Sequence, residues 1–242
     1  QRYRQIIFIE APFLQVSTES EMLADDIRIV LFDAVGTVLA PQPSIAQTYV
    51  DIGSRYIDGL EQEEVLIRFK QVFSRVFSAE NSQMRVTEES TLAAWVKVVE
   101  GTFPDFKSAG NELFQELWDY FASSEAWRVY DDVKDCFERL LRRGFQLGIA
   151  SNFDSRLEGI VQRDSILSQV QHVFHSAQLG WNKPARGFCD GITERLAVPA
   201  EQIVLIGDRL DNDIQPALEA GWQGIWIDRT STGEGAIPTE LA

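Results

Sequence analysis

The sequence predicts an α/β protein with a Rossmann-like, doubly wound parallel sheet and an all-helical domain inserted after the first strand. Short apolar runs rich in Ile, Val, Leu and Phe have the composition of parallel strands that are covered on both faces. Helical patterns separate the later runs, and strands that alternate with helices are typical of doubly wound sheets. Between the first run and the others, residues 43–125 show helical periodicity only.

The first predicted strand is the most informative of the four. It spans Ile27–Phe32 and ends directly at Asp33, which is followed by Gly36 and Thr37. Open α/β sheets carry their active sites at the carboxyl ends of the strands. This strand therefore delivers a carboxylate to the edge where chemistry is expected. The other predicted strands are Phe145–Ala150, Ile203–Ile206 and Gly224–Ile227.

The inserted block contains three apolar stripes with helical spacing, and no strand pattern interrupts them. Aromatic stripes of this kind belong to a packed core far more often than to a cofactor site. We therefore predict a helical domain over residues 43–125, and a core domain formed by residues 26–42 and 126–242. The stripes comprise Val65, Leu66, Phe69, Val72, Phe73, Val76 and Phe77; Leu92, Trp95, Val96 and Val99; and Leu113, Phe114, Leu117, Trp118 and Phe121.

The core domain is predicted to alternate helices with its strands. A helix precedes the second strand, because apolar residues recur on one face between Val133 and Leu141 and Gly144 follows as a C-terminal cap. Further helices are predicted around Ser155–Val161, Gly191–Leu196 and Asp213–Ala220.

Residues 1–25 are predicted to form an N-terminal extension outside the fold. They contain the apolar run Ile6–Ile9, which Glu10 and Pro12 interrupt. The interrupted run makes a poor signal-peptide core.

Composition and charge restrict the classes of partner. The 242-residue chain carries a formal net charge of −15, which argues against nucleic acids and anionic membranes because both are polyanions. No apolar run of the sequence approaches the length of a membrane span. Cys136 and Cys189 are the only cysteines, and two scattered thiols are typical of a reduced, cytoplasmic protein. An anionic substrate then needs local positive charge or a metal ion to receive it.

Side chains suited to chemistry occur at four places along the chain. They are Asp33 after the first strand, Ser151 and Asn152 after the second, Lys183 in the sequence G-W-N-K-P-A, and Asp208, Asp211 and Asp213 after the third. A hydroxyl and backbone N–H groups at a strand-to-helix turn can hold a phosphate, and a lysine can neutralise it. A group of carboxylates suits Mg²⁺. Each motif alone is weak evidence for a functional site, but the four together, in this order along the chain, are strong evidence.

These motifs resemble, in this order, those of the haloacid dehalogenase-like (HAD) hydrolase superfamily over residues 27–229. The resemblance implies a Rossmann-like core with the helical block as a C1-type cap. It also implies a Mg²⁺-dependent phosphatase that acts on a small phosphorylated metabolite through an aspartyl-phosphate. The first motif, D-A-V-G-T, together with a helical cap, is similar to the HDHD3-like (DREG-2-like) branch, whose substrates it does not reveal.

The resemblance implies roles for individual residues. Asp33 is expected to be the nucleophile. Ser151 and Lys183 are expected to take part in catalysis, because they hold the transferring phosphoryl group and offset its charge. Thr37 and Asn152 complete the expected phosphate-binding set.

The expected magnesium ligands include one departure from the superfamily pattern. The ion is expected to be held by Asp33, the backbone carbonyl of Val35 and Asp208, with Asp213 or Asp211 in support. The superfamily usually has an aspartate where this chain has Val35, and that aspartate protonates the leaving oxygen and then activates water. Valine cannot titrate, and loss of a positioned acid–base group typically costs on the order of 10²–10⁴ in rate.

Val35 leaves two alternative functions open. The sequences F-D-A-x-G-T and L-G-I-A-S-N also resemble motifs of the 2-haloacid dehalogenases, which use no metal and usually carry Tyr at the position of Val35. A weakly active or non-catalytic HAD-like binding protein is the other alternative. The acids near Asp208 favour the metal-dependent phosphatase. The substrate and the oligomeric state stay open.

Overall fold

The computed structural model describes the backbone of residues 7–10 and, with side chains, residues 23, 26–78, 85–104, 106 and 112–229. The strands in this part of the chain are β1 (Ile7–Glu10), β2 (Ile29–Phe32), β3 (Leu39–Pro41), β4 (Trp127–Val129), β5 (Gln146–Ser151), β6 (His172–His175), β7 (Ile203–Gly207) and β8 (Gln223–Asp228). The α-helices are α1 (Ile45–Gly53), α2 (Gln62–Val76), α3 (Glu88–Thr102), α4 (Glu112–Ala122), α5 (Val133–Arg142), α6 (Arg156–Arg163), α7 (Ser176–Leu179), α8 (Arg186–Leu196) and α9 (Gln215–Ala220).

Six of these strands form one parallel sheet in the order β1-β8-β7-β2-β5-β6. The predicted doubly wound α/β fold is therefore confirmed. Because β2 lies between β7 and β5, the carboxyl ends of these three strands adjoin. The strands β3 and β4 form a separate antiparallel pair where the chain leaves the core and returns to it.

The central strands are apolar because both of their faces are covered. In β2, Val30 and Phe32 belong to the apolar cluster that includes α5 and α6. Ile29 and Leu31 belong to the cluster on the other face, which includes α8 and α9. Successive side chains of a strand point to opposite faces of the sheet, so every position of β2 is occupied by a hydrophobic residue.

The helices α1–α4 form the cap, and their buried faces meet in one apolar cluster of their own. The three predicted stripes lie on α2, α3 and α4, except that Phe77 follows the last residue of α2 and Leu92 is 40% exposed. The sequence analysis missed α1, which buries Tyr49 and Ile52. The predicted domain boundaries near residues 42 and 126 fall beside the β3–β4 pair and stay a prediction. Within the described ranges, every helix is too short or too polar to cross a lipid bilayer.

The structure differs from the sequence analysis at both edges of the sheet. The expectation that residues 1–25 lie outside the fold is wrong for Ile7–Glu10, whose backbone pairs with β8 as an edge strand. Glu10 is the last residue of this short strand. At the other edge, β6 was missed because a histidine stands at each end of its four residues.

Candidate active site

The predicted motifs meet at the carboxyl edge of the sheet. Asp33 follows β2, Ser151 ends β5 and Asp208 follows β7, and these three strands are neighbours. Lys183 lies in the connection between α7 and α8 and contacts Asp33. The parallel sheet thus gathers side chains that are far apart in the sequence.

Three carboxylates of the site lie close to one another. Asp33, Asp208 and Asp213 each offer one oxygen, and these oxygens lie within 4.8 Å of one another. Asp33 and Asp213 are buried, and Asp208 is half-buried. Asp211 is exposed and pairs with Arg209 at 3.0 Å. Of the two acids that were expected to support Asp208, the structure therefore brings Asp213 to the group and leaves Asp211 outside it.

Lys183 connects two of these carboxylates. Its Nζ donates hydrogen bonds to Oδ1 of Asp33 and Oδ1 of Asp213, both at 2.5 Å, and to the carbonyl of Ala150 at 3.1 Å. These contacts use all three donors of the ammonium group. Burial alone lowers the pKa of Lys183, but Asp213 and Asp33 outweigh it and raise the pKa above its ordinary value. Lys183 is thus held in its charged form.

The acidic group carries more negative charge than Lys183 can balance. Burial raises the pKa of Asp208 to about 8, and repulsion from Asp33 and Asp213 adds to this rise. Burial also raises the pKa of Asp213 to about 6, although Lys183 opposes the rise. When all are ionised, the carboxylates and the single ammonium leave two negative charges, which one divalent cation neutralises. The donor set therefore fits Mg²⁺, a hard cation that prefers carboxylate oxygens.

Ser151 and Asn152 have different surroundings. The Ser151 hydroxyl donates a hydrogen bond of 3.0 Å to Oδ1 of Asp33. Asn152 instead binds the backbone of Lys183. Its Nδ2 donates to the Lys183 carbonyl at 3.0 Å, and its Oδ1 accepts from the Lys183 N–H at 2.7 Å. Because both ends of the amide are engaged there, Asn152 positions the lysine loop. The phosphate contact expected of Asn152 stays a prediction.

Thr37 and Gly36 shape the loop around Asp208. The buried Thr37 hydroxyl donates a hydrogen bond of 3.3 Å to Oδ1 of Asp208. Gly36 has a φ of +95°, and a Cβ at this position would lie 2.5 Å from Oδ2 of Asp208. Glycine tolerates this φ and leaves room for the carboxylate. Thr37 thus orients a metal-ligand candidate, and its expected contact with phosphate stays a prediction.

Val35 occupies the position where the superfamily usually has an acid. It is half-buried, and its side chain packs against the apolar cluster that includes α5 and α6. A backbone bridge joins Val35 to Leu39. The side chain therefore gives no proton to the site, and the role expected of its backbone carbonyl stays a prediction.

Two ion pairs that sequence reasoning missed support these loops. Arg229 donates to both carboxylate oxygens of Asp132, at 2.8 and 2.9 Å, and to the carbonyl of Thr37 at 2.7 Å. Arg156 binds Asp154 through two parallel contacts of 2.8 Å. Arg229 lies beyond every recognised motif, so the sequence contains no signal for its role. The spacing D-S-R after Asn152 is the only pattern that could have indicated the second pair.

Residues 27–221 match the family model of haloacid dehalogenase-like hydrolases. A protein of Schizosaccharomyces pombe, described as an uncharacterized hydrolase, is 24% identical over 209 residues, which cover 84% of this chain and 91% of that protein. Haloacid dehalogenase-like hydrolase domain-containing protein 3 of Danio rerio is 24% identical over 207 residues, which cover 84% of this chain and 86% of that protein.

Solved structures with a similar fold include a phosphatase and a dehalogenase. A HAD phosphatase from Thermococcus onnurineus superposes with a TM-score of 0.60 at 24% identity, over 88% of this chain and 90% of that one. The defluorinating L-2-haloacid dehalogenase Rha0230 superposes with a TM-score of 0.71 at 17% identity, over 89% of this chain and 87% of that one. YfnB from Bacillus subtilis, described as a putative HAD-hydrolase bound to magnesium, superposes with a TM-score of 0.62 at 20% identity. The superposition covers 83% of this chain and 88% of that one. At these identities the similarity shows the fold alone.

Proposed function

The chain belongs to the haloacid dehalogenase-like hydrolase family, and from this premise we propose that it is a Mg²⁺-dependent phosphatase of small phosphate monoesters. The observation that carries the proposal is the group formed by Asp33, Asp208 and Asp213. Their carboxylate oxygens lie within 4.8 Å of one another, and the ammonium of Lys183 contacts two of them. This arrangement can receive a divalent cation and a phosphoryl group together.

Asp33 is the nucleophile in this proposal. Ser151 and Lys183 both bind its Oδ1, which leaves Oδ2 for attack on phosphorus. As the bond from Oδ2 to phosphorus forms, the bond from phosphorus to the ester oxygen breaks, and the departing alkoxide takes up a proton from solvent water. Water then hydrolyses the aspartyl-phosphate, which releases inorganic phosphate and restores Asp33.

Charge balance is the main task of the surrounding residues. Lys183 offsets one negative charge, and Mg²⁺ held by Asp33, Asp208 and Asp213 would stabilise the charge that gathers on the phosphoryl oxygens. Val35 offers no proton to the departing alcohol. The proposed enzyme therefore favours esters of acidic alcohols, such as phenols, whose oxygen leaves without an acid catalyst.

A 2-haloacid dehalogenase is the second candidate, because Val35 replaces the usual acid. In that reaction Asp33 would displace a halide, and the substrate carboxylate would need a free cation beside it. Arg156 is the one cationic residue among those that line a cavity between cap and core, but Asp154 already binds it through two contacts of 2.8 Å. The paired guanidinium favours the phosphatase over the dehalogenase.

The deciding experiment measures p-nitrophenyl phosphate hydrolysis with Mg²⁺ and with EDTA. We expect turnover with Mg²⁺ only, and a loss of at least about a thousandfold in Asp33→Asn. Asp58→Asn, which makes the same change at an exposed position of the cap, serves as the control. Turnover that survives Asp33→Asn would refute the nucleophile. Metal-independent chloride release from 2-chloropropionate would establish the dehalogenase instead, and Mg²⁺ binding without turnover of either substrate would indicate a non-catalytic binding protein.

A further inference from the structure

A cavity of about 70 Å³ lies between the cap and the core. The cap contributes side chains from α1, α2, α3 and α4, and the core contributes Trp127, Phe153 and Arg156. Aromatic and aliphatic groups form nearly all of the wall, which includes Phe69, Trp95 and Leu117. Pockets that are largely apolar and contain a few polar groups are typical binding sites for small organic molecules.

The cavity adjoins the candidate active site through one loop. Phe153, which lines the cavity, stands two residues after Ser151, whose hydroxyl binds Asp33. Asn152 lies between them and binds the backbone of Lys183. The loop that follows Ser151 thus connects the candidate active site to the wall of the cavity.

The cavity offers no free charge from its lining residues. Its single charged lining residue, Arg156, forms two hydrogen bonds of 2.8 Å with Asp154, which is 1% exposed. The same guanidinium lies 3.4 Å from the centre of the Trp118 ring. Because the carboxylate neutralises the arginine, the cavity suits a neutral organic group and not a second anion.

Tyr49 provides one polar group in this apolar wall. It lines the cavity and is 2% exposed, and none of the described residues forms a hydrogen bond with its hydroxyl. Burial raises the pKa of Tyr49, and Arg156 lowers it only in part, so the hydroxyl is protonated at neutral pH and can donate. A ligand atom in the cavity would supply a hydrogen-bond partner for the Tyr49 hydroxyl.

We propose that this cavity binds the organic group of the substrate, namely a compact aromatic group with one oxygen or nitrogen that pairs with Tyr49. The identification of this ligand as part of a phosphate ester rests on the proposed function, whereas binding of the aromatic group itself does not. An alcohol of this kind, such as a phenol with a second oxygen or nitrogen on its ring, leaves readily although Val35 provides no acid.

Binding of phosphate-free ligands tests the cavity without any catalytic step. Three tryptophans line the cavity, so their fluorescence reports its occupation. Phenol and toluene are titrated into wild type, Tyr49→Phe and the control Tyr56→Phe, which removes a hydroxyl that binds Glu116 outside the cavity. We expect Tyr49→Phe to weaken phenol binding by about tenfold and to leave toluene binding unchanged, because one hydrogen bond is lost. We expect Tyr56→Phe to bind both as wild type does.

Each outcome has one meaning. Absence of phenol binding, or equal phenol affinity in wild type and Tyr49→Phe, would overturn the assignment of the cavity. With binding established, the KM of phenyl phosphate is compared with that of glycerol phosphate, and a lower KM for phenyl phosphate is expected. Equal KM values would overturn the claim that the cavity holds the organic part of the substrate. Phenol binding that depends on Tyr49, without hydrolysis of any ester, would refute the proposed phosphatase and leave the cavity as a site for a phenol-like ligand.

Discussion

Glu88 of the cap accepts a hydrogen bond of 3.0 Å from the backbone N–H of Ser155 in the core. Ser155 lies in the loop that begins after Ser151, so a cap carboxylate holds the loop that carries the serine expected to bind phosphate. His175 lies beside this contact. Its Nδ1 accepts a hydrogen bond of 3.3 Å from the N–H of Gln178 and lies 3.8 Å from Glu88, and its Nε2 lies 3.3 Å from Glu158. The position of the cap is thus linked directly to the candidate active site.

The residues just before Glu88 reach the loop that carries Lys183. The N–H of Val86 donates to the carbonyl of Gly180 at 3.1 Å. The guanidinium of Arg85 lies 4.8 Å from the centre of the Trp181 ring. The segment 85–88 therefore contacts both loops that hold side chains against Asp33.

Removal of the Glu88 carboxylate should slow turnover by about tenfold, because a charge-assisted hydrogen bond between cap and core is lost. The variant is Glu88→Ala, and its matched control is Glu89→Ala. Both variants remove an acid from the first turn of α3, but only Glu88 contacts Ser155. Steady-state kinetics with phenyl phosphate provide kcat and KM. Equal kcat values in the two variants would contradict a role of this contact in positioning the site.

Lys183→Met should destabilise the fold and abolish turnover. The substitution leaves Asp33 and Asp213 buried without their cation, and loss of one partner from a buried ion pair typically costs about 3–5 kcal/mol. Urea denaturation in EDTA measures this loss of unfolding free energy. The exposed Lys97→Met is the control and should stay within about 0.5 kcal/mol of wild type. A Lys183→Met protein as stable as this control would show that the ion pairs do not hold the site together.

The sequence predicted where the four motifs meet better than it predicted the edges of the sheet. Asp33, Ser151 and Asp208 follow apolar strands, and parallel pairing brings such positions together whatever their separation along the chain. Lys183 was predicted from the motif order alone. The edge strand at Ile7–Glu10 was missed, because its apolar run stands apart from the alternating strands and helices of the core.

Side-chain partners were the part that the sequence could not provide. Asn152 follows Ser151, and nothing in the spacing indicated that its amide binds the backbone of Lys183. The pair of Arg229 with Asp132 joins the end of β8 to the start of α5, and no motif marks either residue. Such contacts depend on side-chain direction in three dimensions, which spacing along the chain does not encode.

Gly36→Ala should weaken Mg²⁺ binding, because its Cβ would lie 2.5 Å from Oδ2 of Asp208. Gly59→Ala is a matched control, since Gly59 also has a positive φ, +73°, but no atom lies within 4 Å of its added Cβ. Both variants should lose about 1–2 kcal/mol of stability through backbone strain. Only Gly36→Ala should also raise the Mg²⁺ concentration for half-maximal turnover, by at least about tenfold. Equal Mg²⁺ requirements would show that Asp208 can shift without loss of the ion.

Val35→Asp should accelerate hydrolysis of alkyl phosphates by about a hundredfold, because it supplies a titratable acid where none exists. The gain should be smaller for p-nitrophenyl phosphate, whose leaving group needs no proton. The control is Val35→Asn, because asparagine is polar and similar in size to aspartate but is not an acid. A gain in neither variant, with efficient hydrolysis of an ester by the wild type, would show that the chain uses another proton source.

The crowded carboxylates also predict how stability depends on pH when no metal is bound. Asp208 has a pKa of about 8 and Asp213 a pKa of about 6 in the fold, against 3.8 for an ordinary aspartate. Below about pH 4 both folded and unfolded chains keep these protons, and the contribution to stability is fully present. Between about pH 4 and pH 8 the unfolded chain has released protons that the folded chain still holds, so the free energy of unfolding decreases as the pH rises.

Thermal unfolding in EDTA between pH 5 and pH 8 tests this prediction. We expect the melting temperature to fall across this range, and Mg²⁺ to raise it more at pH 8 than at pH 5, because ionised carboxylates bind the ion. Asp208→Asn should flatten the pH dependence, since an amide has no proton to release. Asp58→Asn removes an acid from the exposed surface of the cap and should follow the wild type. The melting temperature of Asp208→Asn could instead fall with pH as steeply as that of Asp58→Asn. In that case the repulsion among Asp33, Asp208 and Asp213 would not cause the pH dependence, and the electrostatic argument for a divalent cation at this site would fail.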